Sequence, residues 1–118
     1  FNDTWGHRTG DRVLQLVART LRQQLPAEAF VGRYGGEEFV ILISGQTLAA
    51  AAVCIEALRQ AVASVPWHFQ GQPVTVTLSF GVSMAMADDR PEALFERADH
   101  ALYEAKHQGR NRVVVASA

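Results

Sequence analysis

Two adjacent carboxylates beside two glycines form the chemically most informative segment of the chain. The segment reads Gly35-Gly36-Glu37-Glu38-Phe39. Glycines let a phosphate approach the backbone closely, and carboxylate oxygens are ligands that a hard divalent cation such as Mg²⁺ prefers. Adjacent acids repel one another and glutamate has a low strand propensity, so stability alone does not favour this arrangement. The alternative is a hairpin tip whose charges simply face water, and these residues alone leave both interpretations open.

The surrounding pattern places this segment at the turn of a β-hairpin. Residues 30–43 read as two strands around the glycine pair, and the apolar run over 39–43 indicates a buried second strand. Gly-Gly between two strand-like runs is a hairpin signal, because both residues can adopt positive φ. Strict alternation predicts another strand over 73–86, with a bulge or bend at Gly81, and residues 112–116 form a short final strand.

Three amphipathic helices are expected to flank these strands. Apolar residues recur every three or four positions over 10–25, over 47–65, and over the segment that ends at Gly109. Thr47 is a suitable N-cap for the second helix, and Asp88-Asp89 supplies caps for the third. The order helix, strand, strand, helix, strand, helix, strand predicts an α+β fold with a largely antiparallel sheet.

The composition describes an ordinary globular domain. The chain has 118 residues, 48% of them hydrophobic and 19% charged, and a formal net charge of -1. The length supports a single domain over 1–118, and the balanced charge argues against a nucleic-acid partner, which needs a basic footprint. The single cysteine, Cys54, excludes an internal disulfide framework. No apolar run approaches the ~20 residues of a membrane span, so we expect no direct membrane contact.

Four segments together resemble the GGDEF family, the diguanylate cyclases. The first is the Gly-Gly-Glu-Glu-Phe signature, preceded by Arg33-Tyr34. The others are Asn2-Asp3-Thr4-Trp5-Gly6-His7-Arg8-Thr9-Gly10-Asp11, Ser79-Phe80-Gly81-Val82-Ser83, and the run from Arg97 to Lys106 followed by Gly109-Arg110-Asn111. One five-residue motif could arise by chance. Four motifs in the family's order, spread over nearly the whole chain, make the resemblance highly specific.

The resemblance implies a fold and an activity. The expected fold is α+β and similar to the palm of nucleotide cyclases and polymerases, with a largely antiparallel central sheet flanked by helices. The expected enzyme condenses two GTP molecules into cyclic di-GMP, releases two pyrophosphates and works as a homodimer. The expected cofactor is Mg²⁺, with Mn²⁺ as an alternative. We also expect a cytoplasmic domain controlled by an upstream sensory or receiver domain, whether or not the parent protein is anchored in a membrane.

The resemblance also assigns roles within the signature. Glu37 corresponds to the family's metal ligand and proton acceptor, and is therefore the expected catalytic residue. Glu38 is a weaker candidate metal ligand, because side chains alternate along a strand and the two carboxylates need not face one ion. Gly35 and Gly36 lie where the family's backbone passes the substrate phosphates.

Four further residues match the family's substrate-binding positions. Asn2 and Asp11 correspond to the pair that reads guanine, whose carbonyl acceptor and N–H donors suit an amide and a carboxylate. Lys106 and Arg110 correspond to the phosphate-binding cations, and their spacing of four places them on one face if the helix continues that far. Without the resemblance, Asp11 is an ordinary acid in a first helical turn, and the two cations are ordinary residues at a helix C-terminus.

The sequence departs from the family pattern in two places. The family's first strand, which carries an Asp metal ligand and a Lys, is absent before Phe1. We therefore expect these residues to be part of a longer protein and to be inactive alone. The family's inhibitory Arg-x-x-Asp window reads Pro26-Ala27-Glu28-Ala29, so we expect no tight product inhibition there. The alternative function is an inactive GTP-binding or scaffold domain that regulates a partner, and the intact signature favours the enzyme.

Overall fold

The computed structural model describes the backbone of residues 7–27, 29–33 and 39–116, and their side chains except at 7–11, 33 and 69. In chain order the elements are α1 (His7–Gln24), β1 (Phe30–Arg33), β2 (Phe39–Leu42), α2 (Leu48–Ser64), β3 (His68–Phe69), β4 (Gln72–Pro73), β5 (Phe80–Val82), α3 (Pro91–His107) and β6 (Val113–Val115). The chain divides into two compact units, Phe1–Gly45 with Pro66–Val74 and Gln46–Val65 with Thr75–Ala118.

In the first unit, α1 forms because its apolar residues recur on one face. The buried residues of this face and its C-terminal continuation are Val13, Val17, Ala18, Leu21 and Leu25. Full burial of one valine or leucine side chain stabilises the fold by about 1.5–3 kcal/mol. Pro26 follows directly and has no N–H to continue the helix. The predicted helix is confirmed, although it begins at His7 instead of residue 10.

Two antiparallel hairpins complete the first unit. β1 pairs with β2, with Arg33 opposite Phe39, which confirms the predicted strand pair. β3 pairs with β4 around Gln70 and Gly71, whose φ angles of 54° and 77° are those of a tight two-residue turn. The second hairpin ends at Pro73, the first residue of the segment in which the alternation predicted one long strand.

The second unit contains a parallel strand pair joined by a helical crossover. β5 and β6 pair in parallel, and α3 connects them and contacts both. Of the strand predicted over 73–86, only Phe80–Val82 and Pro73 of β4 are strand, so the prediction of one long strand is wrong. One reason is visible at Met84, whose carbonyl oxygen accepts a hydrogen bond of 2.8 Å from Arg97 Nη2 instead of a strand partner. The described strands form three two-stranded sheets, two of them antiparallel.

Gly81 lies where the α3 backbone comes closest to β5. A Cβ atom at this position would overlap the carbonyl oxygen of Ala98 and the amide nitrogen of Leu102. Ala101, in the same stretch of α3, is buried. Only glycine permits this approach of helix to strand. The expected bulge or bend is therefore wrong, since Gly81 pairs in register with Val114 of β6.

The helix caps follow local chemistry. Thr47 caps α2 as predicted, because its hydroxyl accepts a hydrogen bond of 3.1 Å from the Ala50 N–H. The N-cap of α3 is Arg90, which makes no side-chain cap hydrogen bond. The predicted cap Asp89 instead accepts hydrogen bonds from Arg97 and from the Met86 N–H. Within the described ranges, no helix combines the length and the hydropathy needed to cross a membrane.

We predict that Gly81→Ala destabilises the domain by at least about 1–3 kcal/mol, because the added methyl group meets helix backbone that cannot move alone. The matched control is Gly32→Ala, where the new Cβ meets only the ring of Phe30, 2.9 Å away on an exposed side chain that can rotate. Urea unfolding followed by circular dichroism measures both. Equal midpoints for the two variants would show that α3 does not depend on this contact.

Candidate functional site

The Gly-Gly-Glu-Glu-Phe signature lies between the paired strands β1 and β2. Arg33 and Phe39 are opposite one another in the antiparallel register, and residues 34–38 connect them. Gly35, Gly36, Glu37 and Glu38 lie outside the described residues. The structure thus confirms the strands that carry the signature, and the roles of these four residues stay predictions.

The two residues predicted to bind guanine also lie mainly outside the part of the chain that the structure describes. Asn2 falls outside the described residues. Asp11 is the fifth residue of α1, and the structure describes its backbone but not its side chain. Both remain predicted substrate-binding residues.

Lys106 and Arg110 lie at the C-terminal end of α3. Lys106 is half-buried in the last turn, and the helix ends at His107. Gly109 has a φ of 121°, so it stops the helix as predicted. Arg110 follows the helix instead of continuing it. The condition for the two cations to share one helix face, a helix that continues to Arg110, is therefore not met, although both belong to the same end of α3.

The backbone around Arg110 adopts an uncommon conformation. Arg110 and Asn111 have φ angles of 63° and 48°, in the left-handed region that arginine rarely visits. Such positions cost on the order of 1–3 kcal/mol each unless the surroundings hold them. The Arg110 N–H donates to the Ala105 carbonyl oxygen at 2.9 Å, a bond typical of helix C-termini. The Asn111 N–H donates to Ser79 Oγ at 3.0 Å.

A network of side chains from α2 also reaches this turn. Arg59 Nε and Nη2 donate to the two carboxylate oxygens of Glu56, each at 2.7 Å. Arg59 Nη1 donates to Asn111 Oδ1 at 2.8 Å. The hydrogen bonds that Glu56 accepts from Arg59, and one from Gln60, lower the pKa of Glu56 from 4.5 to about 2. The hydrogen bonds to Glu56 raise the pKa of Arg59. The sequence interpretation missed Arg59. Its only local signal was the i,i+3 spacing from Glu56.

A second arginine fork supports the segment before α3. Arg97 Nη1 and Nη2 donate to the two carboxylate oxygens of Asp89, at 3.0 and 2.5 Å. The hydrogen bonds from Arg97 and from the Met86 N–H lower the pKa of Asp89. This fork is independent of the Arg110 turn, because nine residues of helix rise about 14 Å between Arg97 and Lys106.

A groove of about 590 Å³ lies along α1, next to the first residue of β2. Its lining includes Arg19, Arg22 and Phe39. Asn2, Asp11 and residues 35–38 lie outside the side chains that the structure describes, so the groove is assigned no part in the candidate site.

The remaining titratable groups form no metal site in the part of the chain that the structure describes, where no cluster of three or more His, Cys, Asp or Glu side chains occurs. His100 and His107 are exposed on α3. His107 stacks on Tyr103 with ring centroids 3.8 Å apart. Cys54 is free and half-buried.

Sequence comparison places the chain in a family. The family profile described as "Diguanylate cyclase, GGDEF domain" matches residues 1–112, and the chain therefore belongs to the GGDEF domain family. It is 46% identical over 115 residues to "Diguanylate cyclase DgcP" of Pseudomonas aeruginosa, covering 98% of this chain and 17% of that protein. It is 42% identical over 116 residues to "Response regulator PleD" of Caulobacter vibrioides, covering 96% of this chain and 26% of that protein. These relatives are longer proteins, of which the chain spans about a quarter or less.

Solved structures show the same fold. The GGDEF domain of DgcB from Caulobacter crescentus, in complex with c-di-GMP, superposes with a TM-score of 0.92 at 35% identity, covering 99% of this chain and 70% of that chain. The active GGEEF domain of a diguanylate cyclase from Vibrio cholerae superposes with a TM-score of 0.87 at 35% identity, covering 99% and 74%. Diguanylate cyclase SiaD of Pseudomonas aeruginosa, in complex with its activator SiaC, gives 0.92 at 37% identity, covering 98% and 44%. These similarities confirm the predicted α+β, palm-like fold class.

The lowered pKa of Glu56 predicts a specific acid sensitivity. The folded pKa of about 2 lies below the ordinary value of 4.5, so the carboxylate stabilises the fold above about pH 4.5 and loses this contribution as the pH falls towards 2. Glu56→Gln should therefore flatten the dependence of the urea midpoint on pH between these values. Glu96→Gln, on the exposed side of α3, is the control and should keep the wild-type dependence. Identical profiles for wild type and Glu56→Gln would contradict the assigned ion pair.

Proposed function

We propose that this chain is the catalytic domain of a diguanylate cyclase, which condenses two GTP molecules into cyclic di-GMP and releases two pyrophosphates. The observation that carries the proposal is the intact Gly-Gly-Glu-Glu-Phe signature within a family match over residues 1–112. Support comes from relatives named diguanylate cyclase and from the Vibrio cholerae structure described as an active GGEEF domain. Glutamate at the third position of the signature is thus compatible with activity in that protein.

The proposed reaction forms two phosphodiester bonds in succession. The 3′-hydroxyl oxygen of one GTP attacks the α-phosphorus of the other. A bond from that oxygen to the α-phosphorus forms, and the bond from the α-phosphorus to pyrophosphate breaks. Glu37 accepts the proton of the hydroxyl group. Repetition with the roles exchanged closes the ring. This symmetry favours a homodimer in which each subunit holds one GTP.

The cations at the end of α3 suit the triphosphate. Lys106 and Arg110 supply positive charge near a helix C-terminus, where the partial charge of the helix is negative and the cations are themselves stabilised. A guanidinium group can bind a phosphate through two parallel hydrogen bonds, which fixes the orientation as well as the position. Asn2 and Asp11 are proposed to read the guanine base through its carbonyl and N–H groups.

The donor set of the signature fits a divalent metal ion. GGDEF diguanylate cyclases depend on metal, and the carboxylates of Glu37 and Glu38 are hard oxygen donors of the kind that Mg²⁺ or Mn²⁺ takes. A bound divalent ion would neutralise charge that develops on the α-phosphate. Glu37 would be its principal ligand, with Glu38 second.

The cellular setting follows from the same proposal. Relatives in which this domain is a small part of a longer protein support an upstream sensory or receiver domain. GTP as substrate supports a cytoplasmic location for the domain. No nucleic-acid or membrane partner is proposed, in keeping with the net charge of -1.

The proposal predicts that Glu37→Gln in the full-length protein abolishes production of cyclic di-GMP without lowering thermal stability. The amide keeps the size of the side chain, but it loses the charge that binds the metal and the basicity that accepts the proton. Chromatography of the products from GTP and Mg²⁺ measures the loss. Glu96→Gln is the matched control and should retain turnover. Turnover near wild type in Glu37→Gln would show that another group carries the chemistry, and a wild-type protein that binds GTP without product would favour the regulatory binding module.

A further inference from the structure

The turn that carries Arg110 is held from a distant part of the sequence. Arg110 has no side-chain group that stabilises a left-handed backbone locally, as asparagine does, so its φ of 63° depends on its neighbours. The next residue, Asn111, has a φ of 48° and makes two hydrogen bonds that anchor the turn. Its N–H donates to Ser79 Oγ at 3.0 Å, and its Oδ1 accepts from Arg59 Nη1 at 2.8 Å.

The side chain of Arg59 is oriented by its contacts with Glu56. Its guanidinium group is gripped by both oxygens of Glu56, each at 2.7 Å, and its side chain is 17% exposed. A fork fixed at two points has little freedom left, so the remaining donor Nη1 points in one direction. That direction is the amide oxygen of Asn111. The contact joins residues 52 positions apart in sequence, and it connects α2 to the segment that follows α3.

We propose that Arg59 is a positioning residue for substrate binding, which holds Arg110 in its left-handed conformation by fixing Asn111. The inference rests on the proposed function, in which Arg110 binds a phosphate of GTP. Strained backbone of this kind persists where the surroundings over-determine it, and the Arg59 contact is one of the constraints. Arg59 itself touches no substrate in this account.

The test uses the full-length protein with 3′-deoxy-GTP and magnesium chloride. This nucleotide lacks the attacking hydroxyl group, so titration calorimetry measures binding without turnover. Arg59→Met keeps the aliphatic bulk and removes every donor. Asn111→Gly removes the acceptor but still allows a left-handed backbone. Both variants should weaken the Kd by at least roughly tenfold, the order of one hydrogen bond to a charged group. In GTP turnover they should raise KM while kcat stays close to wild type.

Two further variants separate positioning from general stability. Asn111→Asp keeps an oxygen acceptor for Arg59 and should lose less affinity than Asn111→Gly. Arg97→Met breaks the other arginine fork, with Asp89, and should lower the unfolding midpoint without changing the Kd. In an Arg110→Ala background, Arg59→Met should add no further loss of affinity, because its effect passes through Arg110.

The outcomes distinguish this proposal from the one on which it rests. An unchanged Kd in Arg59→Met, or losses that multiply in the Arg59→Met, Arg110→Ala double variant, would overturn the positioning role alone. An unchanged Kd in Arg110→Ala would overturn the phosphate-binding role of Arg110 and the positioning role with it. Hydrogen exchange in the nucleotide-free protein adds a readout that needs no ligand. Arg59→Met should speed exchange of the Asn111 amide, and unchanged exchange would contradict the proposed link.

Discussion

The missing side chain at Gly81 is the constraint on which the second unit depends. It lets the α3 backbone lie against β5 so closely that a single methyl group would overlap Ala98 and Leu102. Because α3 also contacts β6, this approach sets the crossover between the two parallel strands. The end of α3 carries Lys106, and the turn after it carries Arg110. The placement of both candidate phosphate-binding cations thus depends on the absence of a side chain at Gly81.

Two arginine–carboxylate pairs fix the conformation of the exposed segments on either side of α3. Arg97 and Asp89 hold the segment before α3, and Arg59 and Glu56 hold the segment after it through Asn111. Neither pair is fully buried, so each stabilises the fold only modestly as a charge pair. Their value is geometric, because a planar guanidinium group with two fixed hydrogen bonds leaves its other donor in a set position. In Arg59 this donor is Nη1, which binds Asn111, and in Arg97 it is the second N–H of Nη2, which binds the Met84 carbonyl oxygen.

Much of the fold could be predicted from the sequence because it follows local periodicity. The apolar spacing of α1, the Thr47 cap of α2 and the Gly109 stop of α3 are all signals carried within a few residues. The failures occur where non-local bonding overrides a local pattern. Alternation over 73–86 predicted one strand. Near its end Arg97 binds the Met84 carbonyl oxygen, and at its beginning Pro73 pairs with His68 in a hairpin. Glutamine is not among the residues that predict a two-residue turn, so Gln70 gave no local signal of this hairpin.

The candidate site shows the same division. The signature, the pair proposed to read guanine and the two cations could be predicted from motifs, because family resemblance attaches an expected role to each position. Arg59 could not, because its partner Asn111 is 52 residues away and only the fold brings them together. The spacing of Lys106 and Arg110 predicted a shared helix face only for a helix that continues to Arg110, and Gly109 ends the helix between them.

The central claim is that this domain joins two GTP molecules, and product stoichiometry tests it most directly. The full-length protein is incubated with GTP and Mg²⁺, and cyclic di-GMP and pyrophosphate are quantified by chromatography and an enzymatic phosphate assay. The reaction proposed above predicts that two pyrophosphates appear for each cyclic di-GMP. The account is contradicted if GTP binds and no cyclic di-GMP forms, or if pyrophosphate is released without it.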